Sequence, residues 1–132
     1  MIVGIPKEIT SNETRVAAIP STVKEFVKRG FTVNVETGAG MGSFFSDDDY
    51  IQSGAGVVST AKELYDSADL VIKVNPPEMN NEEGKHEVEL MKSKSVFVSF
   101  IQTTKDLDEV KKLQEKNITA FSMHLIPRTT LA

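Results

Sequence analysis

The alternation of short β-type runs with helix-type windows constrains this chain more than any other feature. Apolar or alternating runs at residues 1–5, 31–36, 57–58, 70–74, 96–101 and 118–121 are separated by segments with helical spacing or helix-start signals. Parallel strands need crossovers of a dozen or more residues, usually helices, so this rhythm predicts an α/β sandwich with a mostly parallel sheet between helical layers. Phe31, Val33 and Val35 alternate with Thr32, Asn34 and Glu36, which predicts a half-buried strand. The run at 70–74 is almost wholly apolar and is stopped by Asn75-Pro76-Pro77, because consecutive prolines supply no ladder donors; it reads as a central strand.

Helix starts are read from capping pairs. Thr22 with Glu25 precedes Val23, Phe26 and Val27 at helical spacing, and Gly30 is the stop. Ser46 with Asp49 predicts a short helix ending at Gly54, and Thr60 with Glu63 caps a helix carrying Ala61, Leu64 and Tyr65. Leu107, Val110 and Leu113 mark the buried stripe of another. Residues 78–89, acidic and Asn-containing, read as a mobile loop or a solvated face.

At 132 residues the chain is one domain's worth of sequence, long enough to fold without disulfides or a structural metal. With no cysteine, thiol catalysis, zinc-thiolate sites and iron-sulfur clusters are excluded. A net charge of −4 argues against a general nucleic-acid binder. No apolar run approaches the roughly 20 residues that cross a bilayer, and the start has no signal-peptide character, so a cytosolic location is expected.

Candidate chemistry is sparse. Gly38-Ala39-Gly40-Met41-Gly42 follows a strand and precedes a helix, as a phosphate loop would, but Ser43 stands where the fingerprint needs its third glycine, and tight-turn glycines are the competing reading. Asp47-Asp48-Asp49 fits a helix N-terminus better than a cation loop. His86 reads as solvent-facing, and His124 is placed near Arg128. Lys73 must reach a partner or the sheet rim, because an unpaired ammonium inside an apolar strand costs several kcal/mol. Near the carboxyl end of its strand it faces either a structural carboxylate or an anionic ligand. Arg15 and Arg128 each offer a two-pronged donor set to a carboxylate or phosphate.

Several stretches together carry a family resemblance. Ile5-Pro6-Lys7-Glu8, Glu13-Thr14-Arg15-Val16-Ala17, Val35-Glu36-Thr37-Gly38-Ala39-Gly40, Ser46-Asp47-Asp48-Asp49-Tyr50 and Ala68-Asp69-Leu70-Val71-Ile72-Lys73-Val74 resemble, in register, the N-terminal domain shared by alanine dehydrogenase and the α subunit of proton-translocating NAD(P) transhydrogenase. The resemblance runs the length of the chain. It implies a Rossmann-like (flavodoxin-like) three-layer sandwich. Residues 1–132 would form the first subdomain of an NAD(H)-binding component, and the second subdomain, which carries the glycine fingerprint, is absent from this chain. The sequence stops at Ala132, so a fragment, a split gene product or a separately expressed part is expected.

The resemblance also separates the two branches. Alanine dehydrogenases hold pyruvate with an arginine that matches Arg15, a lysine two residues after the position of Lys73, and a histidine at the end of the later strand; here the last two positions are Asn75 and Gln102. Ala120-Phe121-Ser122-Met123-His124-Leu125-Ile126-Pro127-Arg128 looks like the strand and turn entering the transhydrogenase loop over the nicotinamide, with Arg128 matching the loop's arginine and Thr129-Thr130-Leu131-Ala132 departing from its pattern. The implied function is hydride transfer between NAD(H) held here and NADP(H) held by a partner component, with Arg128, Lys73 and Arg15 as cofactor-binding residues, no catalytic side chain, and weak nucleotide binding by this chain alone. The implied partners are the NADP-binding and membrane components, which would place the chain peripheral to the inner membrane, and a second copy in a homodimer. An alanine dehydrogenase fragment and a detached, non-catalytic binding module are the alternatives.

Overall fold

The computed structural model describes residues 1–102 and 105–123. Among the described residues, eight strands and five α-helices follow one another as β1 (Ile2–Ile5), α1 (Pro20–Lys28), β2 (Thr32–Glu36), α2 (Asp47–Gln52), β3 (Gly56–Val58), α3 (Ala61–Ser67), β4 (Leu70–Ile72), β5 (Met79–Asn80), β6 (Lys85–His86), α4 (Glu87–Leu90), β7 (Val96–Ser99), α5 (Leu107–Glu115) and β8 (Thr119–Ser122). Six strands form one parallel sheet in the order β3-β2-β1-β4-β7-β8, while β5 and β6 make a separate antiparallel pair. Counted within the sheet, this is the Rossmann order 3-2-1-4-5-6 and not the flavodoxin order 2-1-3-4-5. The chain reverses direction across the sheet between β1 and β4, and the crevice beyond the carboxyl ends of these two strands is where such folds hold ligands.

Each face of the sheet has its own core. On one face Val3, Ile5, Val33 and Val35 pack with Val23 of α1 and Tyr50 of α2. On the other, Val71 and Phe97 pack with Tyr65 of α3, Val88 of α4 and Leu113 of α5. Because strand side chains alternate between faces, Leu70 and Ile72 join the first core while Val71 joins the second, and Lys73 therefore points to the second, among the helices.

Two capping signals act as expected. The Ser46 hydroxyl accepts from the Asp49 N–H while the Asp49 carboxylate accepts from the Ser46 N–H, and the Thr60 hydroxyl accepts from the Glu63 N–H. The first helix differs. It starts at Pro20, with Ile19 as N-cap and no side-chain cap, so Thr22 and Glu25 lie inside it. Proline is preorganised for the first helical position and gives up no donor there, which moves the start ahead of the Thr22 signal. Its end is as the sequence implied: the Gly30 N–H donates to Val27 O and the Phe31 N–H to Phe26 O, with Gly30 at φ 94°. The rings of Phe26 and Phe31 meet edge-on at 5.9 Å, the apolar contact that accompanies this cap.

Three other expectations are corrected. Leu107 is 59% exposed, so the buried stripe of α5 reduces to Val110 and Leu113. The acidic stretch is not uniformly solvated: Asn80, His86 and Glu87 are buried, and the β5–β6 hairpin followed by α4 gives it fixed structure. His86 is the N-cap of α4, its Nδ1 accepting from the Val88 N–H. That role requires a neutral ring, and burial lowers the His86 pKa accordingly.

Candidate functional site

The carboxyl ends of β1 and β4 carry a chain of polar side chains that runs from the helical core to the surface. Lys73 Nζ is fully buried and donates to both oxygens of Glu87, at 2.8 and 3.1 Å. Glu87 in turn accepts from Tyr65 Oη at 2.9 Å and from the Glu78 N–H at 3.0 Å. Burial, together with the Glu87 carboxylate, pushes the Tyr65 hydroxyl well above its ordinary range, so it stays a donor. On its other side the ammonium pairs with Glu8 at 3.6 Å. Glu8 caps the end of β4, accepting from the Val74 N–H at 2.9 Å and the Asn75 N–H at 3.1 Å.

Asn75 carries the chain outward. Its Nδ2 donates to Glu13 at 2.9 Å and to Glu8 at 3.3 Å. Glu13 then grips Arg15 with both oxygens, at 2.9 Å from Nε and 2.8 Å from Nη2. The guanidinium, chiefly by its hydrogen bonds, holds the Glu13 carboxyl down at about 2 against the opposing effect of burial. The loop after β2 fixes this segment in place: Ser43 Oγ donates to Thr14 O at 2.7 Å, and a Cβ on Gly42 would lie 2.8 Å from the same oxygen.

Beside Arg15 lies an open cleft of about 450 Å³. Its floor is apolar, built from Ile72 and Val74 at the end of β4 and Val98 and Phe100 at the end of β7, with Val16 and Met123 on its sides. Phe100 is 44% and Met123 39% exposed. Such a surface can receive the face of an aromatic ring, and one guanidinium is at hand for a polar substituent.

The glycine turn is not a phosphate cradle. The Asp47 carboxylate occupies it, accepting from the Gly38 N–H at 2.9 Å and from Thr37 Oγ1 at 2.6 Å. The N–H groups of Ala39, Met41 and Ser43 bond to backbone carbonyls within the loop. Only Gly38 among its glycines has positive φ, at 77°, while Gly40 and Gly42 are required by the approach of Tyr50 and Thr14. Among the described residues no group of three or more His, Asp or Glu side chains is arranged to hold a metal ion, and no helix is long and apolar enough to cross a membrane. The described residues thus offer an apolar floor with one guanidinium beside it, and the glycine turn makes no pyrophosphate site.

Of the residues singled out from sequence, Lys73 and Arg15 both border this cleft, but the Lys73 ammonium is turned into the core. Arg128 and His124 lie outside the described residues. Gln102 sits just past β7, its N–H donating to Asp106. Sequence reasoning missed Glu8, Glu13, Glu87 and Tyr65. The one signal toward them was the need of Lys73 for a counter-charge, which does not say which carboxylate answers it.

Residues 4–132 match the family model described as alanine dehydrogenase/PNT, N-terminal domain. Over 132 residues the chain is 41% identical to an NAD(P) transhydrogenase subunit alpha protein of Rhodospirillum rubrum, covering 100% of this chain and 34% of that protein. It is 37% identical over 126 residues to an alanine dehydrogenase of Methanococcus maripaludis, covering 96% and 32% respectively. Among solved structures, the transhydrogenase from Sinorhizobium meliloti superposes with a TM-score of 0.87 at 33% identity, over 98% of this chain and 37% of that one. An L-alanine dehydrogenase superposes with 0.82 at 35% identity, over 92% and 32%. The chain spans about a third of the length of these relatives. With residues 4–132 matched by that model, the chain belongs to the N-terminal domain family common to alanine dehydrogenase and the NAD(P) transhydrogenase α subunit.

Proposed function

We propose that this chain is the N-terminal portion of the NAD(H)-binding component of an NAD(P) transhydrogenase and forms one wall of the cleft in which hydride passes between NAD(H) and NADP(H). The observation that carries the reading is what stands at the ends of β4 and β7: Asn75, its amide held between two carboxylates, and Gln102. A keto acid and its imine need a cation for the carboxylate and a group that moves a proton at the carbonyl. Neither Asn75 nor Gln102 supplies charge or titrates near neutrality. Hydride exchange between two nicotinamides needs no protein nucleophile and no proton transfer at the reacting carbon. It needs the rings held close with water excluded.

In this reading the apolar floor and Arg15 help to seat the NAD(H) ring, Arg128 reaches its carboxamide, and the buried Lys73 keeps the end of β4 in place. A second subdomain supplies the pyrophosphate site. NADP(H) sits on a separate component, proton movement belongs to a membrane component, and the NAD(H)-binding component is a homodimer peripheral to that membrane. The 41% identity to a transhydrogenase α subunit over the full chain supports this branch. In the assembled protein, NADPH deuterated at C4 should pass its deuterium directly to an oxidised NAD analogue. Appearance of the label in solvent, or no transfer, contradicts the reading.

A further inference from the structure

We propose that Glu13 is a specificity-determining residue: a tethered carboxylate that neutralises Arg15, so that the cleft receives neutral carbonyl groups and turns away free carboxylates. The inference deepens the hydride-exchange reading and rests on it for the kind of ligand the cleft accepts.

The geometry is that of an anion site already filled from within. Both Glu13 oxygens lie on the guanidinium, at 2.9 and 2.8 Å, and Oε2 also accepts from the Arg15 N–H at 2.9 Å. The Arg15 side chain is 66% exposed and that of Glu13 only 8%, so the cation faces the cleft with its counter-charge behind it. A single residue, Thr14, separates the partners, so the carboxylate competes with any free anion as an intramolecular partner. The pair is bidentate and charge-assisted, the stronger class of hydrogen bond. Glu13 uses Nε and Nη2, leaving the donors of Nη1 for a ligand. With the local charge cancelled, those donors suit a carboxamide oxygen without favouring a carboxylate.

Asn75 is what keeps the latch shut. Its amide steadies Glu13 at 2.9 Å without adding charge, so nothing draws the carboxylate away from Arg15. A cation at position 75 would compete for Glu13 and free the guanidinium.

Nicotinate and nicotinamide have nearly the same shape and differ in carboxylate against carboxamide, which makes them suitable probes. In NMR titrations of the full chain, Glu13→Gln should raise the ratio of nicotinate to nicotinamide affinity roughly tenfold over wild type, the scale of one charge-assisted pair. Adding Arg15→Met to that variant should return the ratio to the wild-type value. An unchanged ratio in a folded Glu13→Gln protein, nicotinate binding too weak to measure in it, or a gain that survives the loss of Arg15 overturns the proposal. If Glu13→Gln does not give a native amide spectrum, Glu13→Ala is read against the same criteria. Hydride exchange in the assembled protein is scored separately: its absence beside the expected ratio shift overturns the nucleotide reading and leaves the role of Glu13 standing.

Discussion

Left alone in the core, the Lys73 ammonium would be destabilising by several kcal/mol, and the fold answers it with Glu87 at 2.8 Å and Glu8 at 3.6 Å, from segments distant in sequence. Lys73→Met leaves two buried carboxylates facing an apolar chain, and urea unfolding should show a loss of about 3–5 kcal/mol. Lys73→Met combined with Glu87→Gln should be less destabilised than the sum of the two single changes, because removing one charge relieves the cost of losing the other. Glu13 belongs to the same scale. Its pKa is about 2 in the fold against 4.5 for an ordinary glutamate, so at intermediate pH the unfolded chain binds the extra proton. Its contribution is complete above pH 4.5 and fades as pH falls toward 2. The Arg15 Nε–H resonance should therefore hold its position well below pH 4.5 and then shift, whereas in Glu13→Gln it should be flat throughout.

At the scale of elements, α4 is held by a titratable cap. His86 accepts from Val88 through Nδ1, and burial lowers its pKa below 6.5. Protonation of Nδ1 removes the acceptor. Stability from this cap is therefore complete above pH 6.5, where the unfolded chain also has a neutral ring, and is lost as pH falls through the lower folded value. Thermal melts between pH 7 and pH 5 should show this loss in wild type and a smaller one in His86→Asn, whose side chain keeps an N-cap acceptor at every pH. Elements were legible in the sequence where their signals are local. Ser46 with Asp49 and Thr60 with Glu63 act within one turn, and the strand alternation at Val33 and Val35 reports burial directly. Thr22 misled because Pro20, two residues earlier, sets the start of α1 by covalent geometry. His86 and Glu87 were illegible because composition marks residues 78–89 as solvated, while Glu87 is held in the core by Lys73 and Tyr65 arriving from other elements.

Over the whole molecule, the reversal of strand order between β1 and β4 brings the loop that bears Glu8, Glu13 and Arg15 against the end of the strand that bears Lys73 and Asn75. The parallel sheet was legible from the alternation of runs. The polar chain across the switch point was not, since its links join residues separated by up to 67 positions. The fold thus ties one residue, Asn75, to a property of the cleft: a wall with an apolar floor and a neutralised guanidinium. Enzymes discriminate between substrates by what their polar groups can pair with, so this wall should choose the hydride acceptor. The direct measurement is to supply the assembled protein with NADH and compare two acceptors, NADP⁺ or its analogue on one side and pyruvate with ammonium on the other. NADH should be oxidised with the nucleotide and not above background with the keto acid; pyruvate-dependent oxidation at a comparable rate would overturn the assignment.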